Sequence, residues 1–231
     1  MVISVPTLGV EREIFDQGVR WILALDEVGR GAIAGPVAVG AVVIGNDVTT
    51  FPSGLRDSKL LSERARDTLA PLCEEWVRYS AVGLASAAEI DARGIRCALG
   101  MASARAFASL ASLGAPIEES VGLVDGNDDY VTDAVIEARQ ADRAIGSCLR
   151  IHTRVKGDRD CASISAASVI AKVHRDRLMI AEHTNHPSYF WDRNKGYGTA
   201  QHFAAIDREG PSLLHRMSWL KLPDHNAVET A

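Results

Sequence analysis

Two short apolar runs, Trp21 to Leu25 (WILAL) and Val37 to Ile44 (VAVGAVVI), stand on either side of a glycine-rich turn and constrain this chain more than any other feature. Continuous apolar stretches of this length, bounded by turn residues, suit strands buried on both faces. They predict a hairpin at the centre of a sheet. Val77 to Leu84 reads as a third strand, Val121 to Val124 as a fourth stopped by the turn Asp125-Gly126-Asn127, and Ile151 to Val155 as a fifth. Ser62 offers an N-cap to a helix ending near Glu75, which Pro71 should kink or split. Ala87 to Leu110, dense in alanine and interrupted by Gly94 and Gly100, predicts a long helix or a helix pair, and Ala162 to Ile180 a second long helix. Strands that alternate with helices indicate an α/β or α+β layered fold with a mixed sheet.

At 231 residues the chain makes one domain, or at most two. A net charge of −5 excludes a uniformly basic nucleic-acid binder but permits a local basic patch. Cys73, Cys97, Cys148 and Cys161 include no C-x-x-C pair, so neither a zinc ribbon nor a disulfide framework is indicated. With no leader-like basic and apolar start, and an apolar stretch from Gly31 to Gly45 too short to span a bilayer, a soluble cytoplasmic protein without membrane contact is expected. The segment HPSYFWDRNKGYGT is aromatic and turn-rich, and a short helix from Thr199 to about Glu209 follows it. The expected organisation is a single domain over residues 1–219, its C-terminal helical part starting near 184, and a frayed tail over 220–231.

Three of the apolar runs are followed closely by carboxylates: Leu25 by Asp26 and Glu27, Val124 by Asp125, and Val155-Lys156-Gly157 by Asp158. Singly, an acid after a strand is a turn former or a helix cap. Jointly, acids on neighbouring strand ends converge where loops gather ligands, and they repel one another unless they share cations. An all-oxygen donor set selects Mg²⁺ or Mn²⁺ over zinc. Beside the first pair, Gly29-Arg30-Gly31 leaves bare amides next to a guanidinium, and such a loop is able to approach a phosphodiester. By itself it reads equally as a tight turn with a surface arginine. Between Arg143 and Arg177, eight Lys or Arg (Arg143, Arg150, Arg154, Lys156, Arg159, Lys172, Arg175, Arg177) stand against Asp158, Asp160 and Asp176, a local +5 that reads as a basic patch or a solvated face. Lys172, His174 and Arg175 cannot share one helical face, so some of them are structural.

In order and spacing, LALDEVGRGAIAGPVAVGAVVI, DSKLLSE, LVDG, VKGD, ISAASVIAKVHRD and NKGYGT resemble the type 2 ribonucleases H, specifically the bacterial ribonuclease HII family, from about Leu23 to Trp219. The resemblance implies a ribonuclease H-like fold: a mixed five-stranded sheet flanked by helices, with a small C-terminal helical part that helps hold substrate. It implies that Asp26, Glu27, Asp125 and Asp158 are the catalytic and metal-binding quartet. Gly29, Arg30 and Gly31 fall on the family's junction-reading motif, Tyr197 of KGYG on its active-site tyrosine, and Lys59 of DSK on a phosphate-side lysine. DSKLL carries one lysine where many relatives carry two.

The activity implied is hydrolysis of the RNA strand of RNA/DNA hybrids, and cutting 5′ of ribonucleotides embedded in duplex DNA. Two Mg²⁺ or Mn²⁺ ions would serve it, giving 3′-hydroxyl and 5′-phosphate ends, with Asp26 the candidate bridging ligand. A monomer is the family's default. His202 and His215 read as surface or packing residues rather than bases, and Trp191, Trp219 and Phe203 as packing of the C-terminal part. Two other classes share features with this reading. A DNA-cutting nuclease or integrase of the same fold would share the acids, and a binding protein would use them only structurally.

Overall fold

The computed structural model describes residues 5–140 and 149–220. The expected tail from residue 221 onward, Arg143 of the basic run and Cys148 lie outside them. In chain order the elements are α1 (Gly9–Phe15), β1 (Trp21–Val28), β2 (Val37–Gly45), α2 (Glu63–Trp76), β3 (Tyr79–Ala85), α3 (Ala87–Ser112), β4 (Ser120–Asp125), α4 (Val131–Gln140), β5 (Arg150–Arg154), α5 (Gly157–Asp160), α6 (Ala162–His183), α7 (Trp191–Asn194) and α8 (Ala200–Glu209). The strands form one mixed sheet in the order β3-β2-β1-β4-β5. β2 is antiparallel to both β1 and β3, while β1, β4 and β5 run parallel.

The side-chain period of two splits β1 between two cores. Ile22 and Ala24 face a core built with α1, α2 and α6, whereas Leu23 and Leu25 face one built with α3 and α4. By the same alternation Asp26 belongs to the α6 side and Glu27 to the α3 side. β2 is buried along its whole length, as befits a strand covered on both faces. Two glycines allow the covering helices to approach. A Cβ on Gly40 would stand 2.3 Å from the Ala167 carbonyl oxygen of α6, and one on Gly83 would stand 1.9 Å from that of Ala102 in α3. β5 closes one edge with exposed Arg150 and Arg154, charges that discourage further strand pairing.

Several expectations need adjusting. Pro71 does not split α2, which runs unbroken because Leu69, Ala70 and Cys73 around it are buried in the α6-side core and outweigh one missing N–H donor. Of the two readings for Ala87 to Leu110, the helix pair is found: Gly94 takes φ 77°, ψ 160° between two helical arms. Gly100 does not interrupt the helix; a Cβ there would sit 2.9 Å from that of Ala134, so it admits α4. The third strand starts at Tyr79 rather than Val77, since Val77 still caps α2.

The C-terminal part packs on the end of α6 and on the loop after β1 through Ile33, Ala34, Met179, Tyr189, Trp191, Ala205 and Ile206. Trp191 is fully buried as expected, but Phe203 is about half exposed, because α8 turns His202, Ala205 and Ile206 inward and position 203 lies on the flank of that face, its ring against Gly198. Trp219 is also partly exposed and stacks under the Arg216 guanidinium, 4.8 Å from the ring centroid. Among the described residues no helix is long and apolar enough to cross a membrane. Since Gly83 meets backbone rather than a movable side chain, Gly83→Ala is expected to lower stability by about 1–3 kcal/mol in urea unfolding. An unchanged midpoint would contradict the close α3 packing.

Candidate active site

The parallel ladder of β1 with β4 ends at the pair Leu25 and Val124. Asp26 and Asp125 are the next residues on each strand, so the register itself sets them side by side. β1 continues past this point against β2, pairing Asp26 with Gly40 and Glu27 with Val39, so both acids lie within the strand rather than after it. Asp158 arrives from α5. Lys156 adopts a left-handed conformation (φ 61°), and a Cβ on Gly157 would meet Ile164 at 2.4 Å and the Asp125 carboxylate at 3.2 Å. This tight turn lets the Asp158 N–H donate to Asp125 Oδ1 at 3.1 Å.

The four expected acids lie close enough to feel one another's charge: Asp26 that of Asp125 and Glu27, and Asp125 that of Asp158 and Glu27. Asp26 is buried; its Oδ1 accepts from the Glu27 N–H at 2.9 Å, and its Oδ2 has no hydrogen-bond partner among the described residues. The nearby Ser168 hydroxyl donates instead to Ser58, at 2.8 Å. Burial, then the charges of Asp125 and Glu27, push the Asp26 carboxyl well above the ordinary carboxylate range. Burial and Asp158 likewise raise Asp125. Cationic side chains answer part of this charge. Lys59 Nζ donates to Asp158 Oδ2 at 2.9 Å, and although burial opposes its charge, Asp158 and then Asp26 hold it more firmly protonated than a free lysine. Arg30 pairs with Glu27 Oε1 at 3.2 Å and with Asp128 at 3.3 Å, and Asp128 is in turn held by Arg96 at 3.0 Å. Lys59 and Arg30 thus occupy oxygens of Asp158 and Glu27, and among the described residues no three His, Cys, Asp or Glu side chains form a ready-made ligand set.

The glycine loop after β1 is braced by two buried arginines. Gly29 takes φ 81°, and a Cβ there would overlap the Arg175 guanidinium at 2.0 Å. Arg175 donates to the carbonyls of Ala34, Pro36 and Lys195, at 2.8 to 3.1 Å. Arg216 donates to those of Gly29, Arg30 and Gly35, at 2.7 to 3.2 Å. Burial and the charge of Arg175 lower the Arg216 guanidinium to about 9. The carbonyls of Gly29 and Arg30 are thus engaged, whereas the amides of Arg30 and Gly31 have no partner among the described residues, and a Cβ on Gly31 would meet open space.

Tyr197 sits on the next loop. Gly196 accepts from the Ile33 and Ala34 amides at 2.9 and 3.1 Å, which joins KGYG to the glycine loop. The Tyr197 ring has Lys172 and Arg175 beside it, 5.8 and 5.6 Å from its centroid. Behind it lies a chain of imidazoles. Ser212 N–H donates to His215 Nδ1 at 2.8 Å, so that nitrogen is bare and His215 Nε2 carries the proton, which it gives to His202 Nε2 at 3.0 Å. The Trp191 indole donates to the same nitrogen at 3.1 Å, and His202 Nδ1–H donates to the Tyr197 carbonyl at 2.9 Å. Both rings are consequently neutral. Of the two expectations for these histidines, packing holds, and both are fully buried.

Among the described residues the basic run is divided: Arg175 is buried, Lys172 pairs with Asp176 at 2.5 Å, Arg159 with Asp160 at 2.7 Å and the exposed Arg177 with Asp67 at 2.9 Å, while Arg150, Arg154 and Lys156 are exposed near the β5 edge. Sequence reasoning missed Arg175 and Arg216 as braces, along with Asp128 and Tyr130. The available signal was the crowding of Lys172, His174 and Arg175, more charge than one helical face can expose.

The family model for ribonuclease HII matches residues 23–222. The chain belongs to the ribonuclease HII family. It is 39% identical to ribonuclease HII of Streptomyces avermitilis over 94% of this chain and 84% of the relative. It is 38% identical to that of Synechococcus elongatus over 94% of each. Among solved structures, the PCNA:RNase HII complex from Archaeoglobus fulgidus aligns with a TM-score of 0.63 at 23% identity, covering 87% of this chain and 96% of that one. Bst-RNase HIII in complex with Mn²⁺ aligns at 0.56 and 18%, covering 82% and 70%. These two likenesses carry the ribonuclease H-like fold. Family membership makes the protein a hydrolase of the ribonuclease H class.

The neutral imidazole chain has a pH signature. Burial, then the neighbouring His202, with His186 also facing it, lower His215 to about 4 from an ordinary 6.5. An unfolded chain binds that proton first, so the contribution of His215 to stability is present above about pH 6.5 and is lost as pH falls toward 4. The stability gap between the natural protein and His215→Gln, measured by urea unfolding, is expected to shrink between pH 7 and 4.5. A gap independent of pH would contradict the neutral assignment.

Proposed function

We propose that this ribonuclease H hydrolyses the RNA strand of RNA/DNA hybrids and cuts 5′ of ribonucleotides embedded in duplex DNA. In this reading Asp26, Glu27, Asp125 and Asp158 are the catalytic acids and hold two Mg²⁺ or Mn²⁺ ions. The observation that carries the proposal is the buried, partnerless Oδ2 of Asp26 among three further carboxylates. A buried carboxylate oxygen left without a donor is costly, and a divalent cation satisfies it while relieving the repulsion. The donors are all oxygens, which suits a hard ion. When bound, such ions supply a water of lowered pKa and stabilise the charge on the departing 3′ oxygen.

The chain's own residues do the rest. Lys59 and Arg30, which pair with Asp158 and Glu27, are the cationic groups beside the acid cluster and would serve backbone phosphates there. The amides of Arg30 and Gly31, without partners among the described residues, belong to a loop whose Gly29 and Arg30 carbonyls are already engaged, which suits them to a 2′-hydroxyl or its adjoining phosphate. Tyr197 is partly exposed beside that loop, and its ring is suited to stack on the sugar that follows. Lys172 and Arg175 next to the ring restrain it. The products would be a 3′-hydroxyl and a 5′-phosphate.

Product mapping on a DNA duplex with one embedded ribonucleotide tests the proposal. A single cut 5′ of the ribonucleotide, dependent on Mg²⁺ or Mn²⁺, is expected, with an all-DNA duplex left intact. Cleavage of the all-DNA duplex would point to a DNA nuclease of the same fold, and binding without products to a non-catalytic role for the acids. Asp26→Asn is expected to lower turnover by at least about 10³-fold, the scale of losing a principal electrostatic element of a site. Tyr197→Ala is expected to lower the preference for the lone ribonucleotide over a uniform hybrid. Unchanged preference would remove Tyr197 from the reading surface.

A further inference from the structure

Glu27 differs from the other three acids in lying on the α3 side of β1, where its carboxylate is gripped from two directions. Arg30 takes Oε1 at 3.2 Å. Oε2 accepts from the phenol of Tyr130 at 3.3 Å. Tyr130 is almost completely buried in the core with Leu23, Leu25 and Val131, and Glu27 is the partner of its hydroxyl. Its position is pinned on both sides. Asp129 caps α4 by accepting from the amides of Val131 and Thr132 at 3.0 and 2.9 Å, and Arg96 reaches from α3 to Asp128, the Asp129 carbonyl and Asp133.

We infer that Tyr130 is a positioning residue for Glu27, its phenol fixing one carboxylate oxygen from inside the core so that the other is presented toward Arg30 and the acid cluster. A carboxylate on a flexible two-carbon stem otherwise rotates freely, and a donor behind a ligating group restricts it to one orientation. The inference rests on the proposal that Glu27 holds a divalent ion. It also gives the loop after β4 two tasks: Asp128 steadies Arg30 and Tyr130 steadies Glu27, five residues or fewer after Asp125 itself.

Tyr130→Phe keeps the ring in the core and removes only the donor. Titration of the purified full chain with Mn²⁺ by calorimetry is expected to show affinity weakened by about 10- to 100-fold, the range for removing a group that orients a ligand. Hybrid cleavage at saturating Mn²⁺ should retain its KM, since Arg30 and Tyr197 remain. Val135→Ala serves as a control that loosens the same core cluster without touching Glu27, and it should bind Mn²⁺ as the natural protein does. Natural affinity in Tyr130→Phe, or equal weakening in Val135→Ala, would overturn the positioning role. Glu27→Gln separates this from the reading beneath it. If Glu27→Gln weakens Mn²⁺ binding and Tyr130→Phe does not, only the positioning inference fails. If neither weakens it, the assignment of Glu27 as a ligand fails as well.

Discussion

The repulsion among four carboxylates gathered at one end of a parallel strand pair is the constraint to which the surrounding structure responds. It follows from backbone register. Once β1 and β4 pair in parallel up to Leu25 and Val124, Asp26 and Asp125 must be neighbours, and the left-handed turn at Lys156 brings Asp158 against them. Lys59, Arg30 and Tyr130 each supply a donor to one of these acids, yet Asp26, the most enclosed, keeps an oxygen with no hydrogen-bond partner among the described residues. Apolar residues at these positions would fold more comfortably. A site that conflicts with stability in this way is the pattern expected where binding, rather than packing, has determined the residues.

A second kind of electrostatics holds the C-terminal part in place. Among the described residues Arg175 and Arg216 are buried without carboxylate partners and are satisfied by carbonyls of the glycine loop and, for Arg175, of the KGYG loop, which is how a guanidinium with five donors can be accommodated inside a protein. Because Arg175 donates to both loops while Arg216 holds the glycine loop, the distance between Arg30 and Tyr197 is set by a shared brace rather than by either loop alone. The neutral imidazole chain through His215 and His202 to the Tyr197 carbonyl adds a third tie from behind.

Much of this was legible from the residues. Apolar runs gave the two central strands, alternation gave the layered class, and acids at strand ends gave the cluster, because those features depend on local sequence and on the geometry of a sheet. The motif resemblance supplied Lys59 and Tyr197, neither of which has a local signature: a lysine in a polar loop and a tyrosine between glycines look the same wherever they sit. Tyr130 and Asp128 escaped both routes. Their significance lies in what they touch, Glu27 and Arg30, roughly 100 positions away. The basic run misled for the converse reason, since composition counts charges without seeing that Arg175 is buried and that Lys172, Arg159 and Arg177 already have partners. Pro71 misled because a local rule about helix breaking was overridden by burial of the helix face around it.

Thermal unfolding of the natural protein and of Asp26→Asn, each in EDTA and in Mg²⁺, tests the central claim most directly. If Asp26 is an uncompensated charge held in readiness for a cation, the asparagine variant should melt higher than the natural protein in EDTA, and only the natural protein should gain stability from Mg²⁺. A variant that melts lower in EDTA, or that gains as much from Mg²⁺ as the natural protein does, would contradict it.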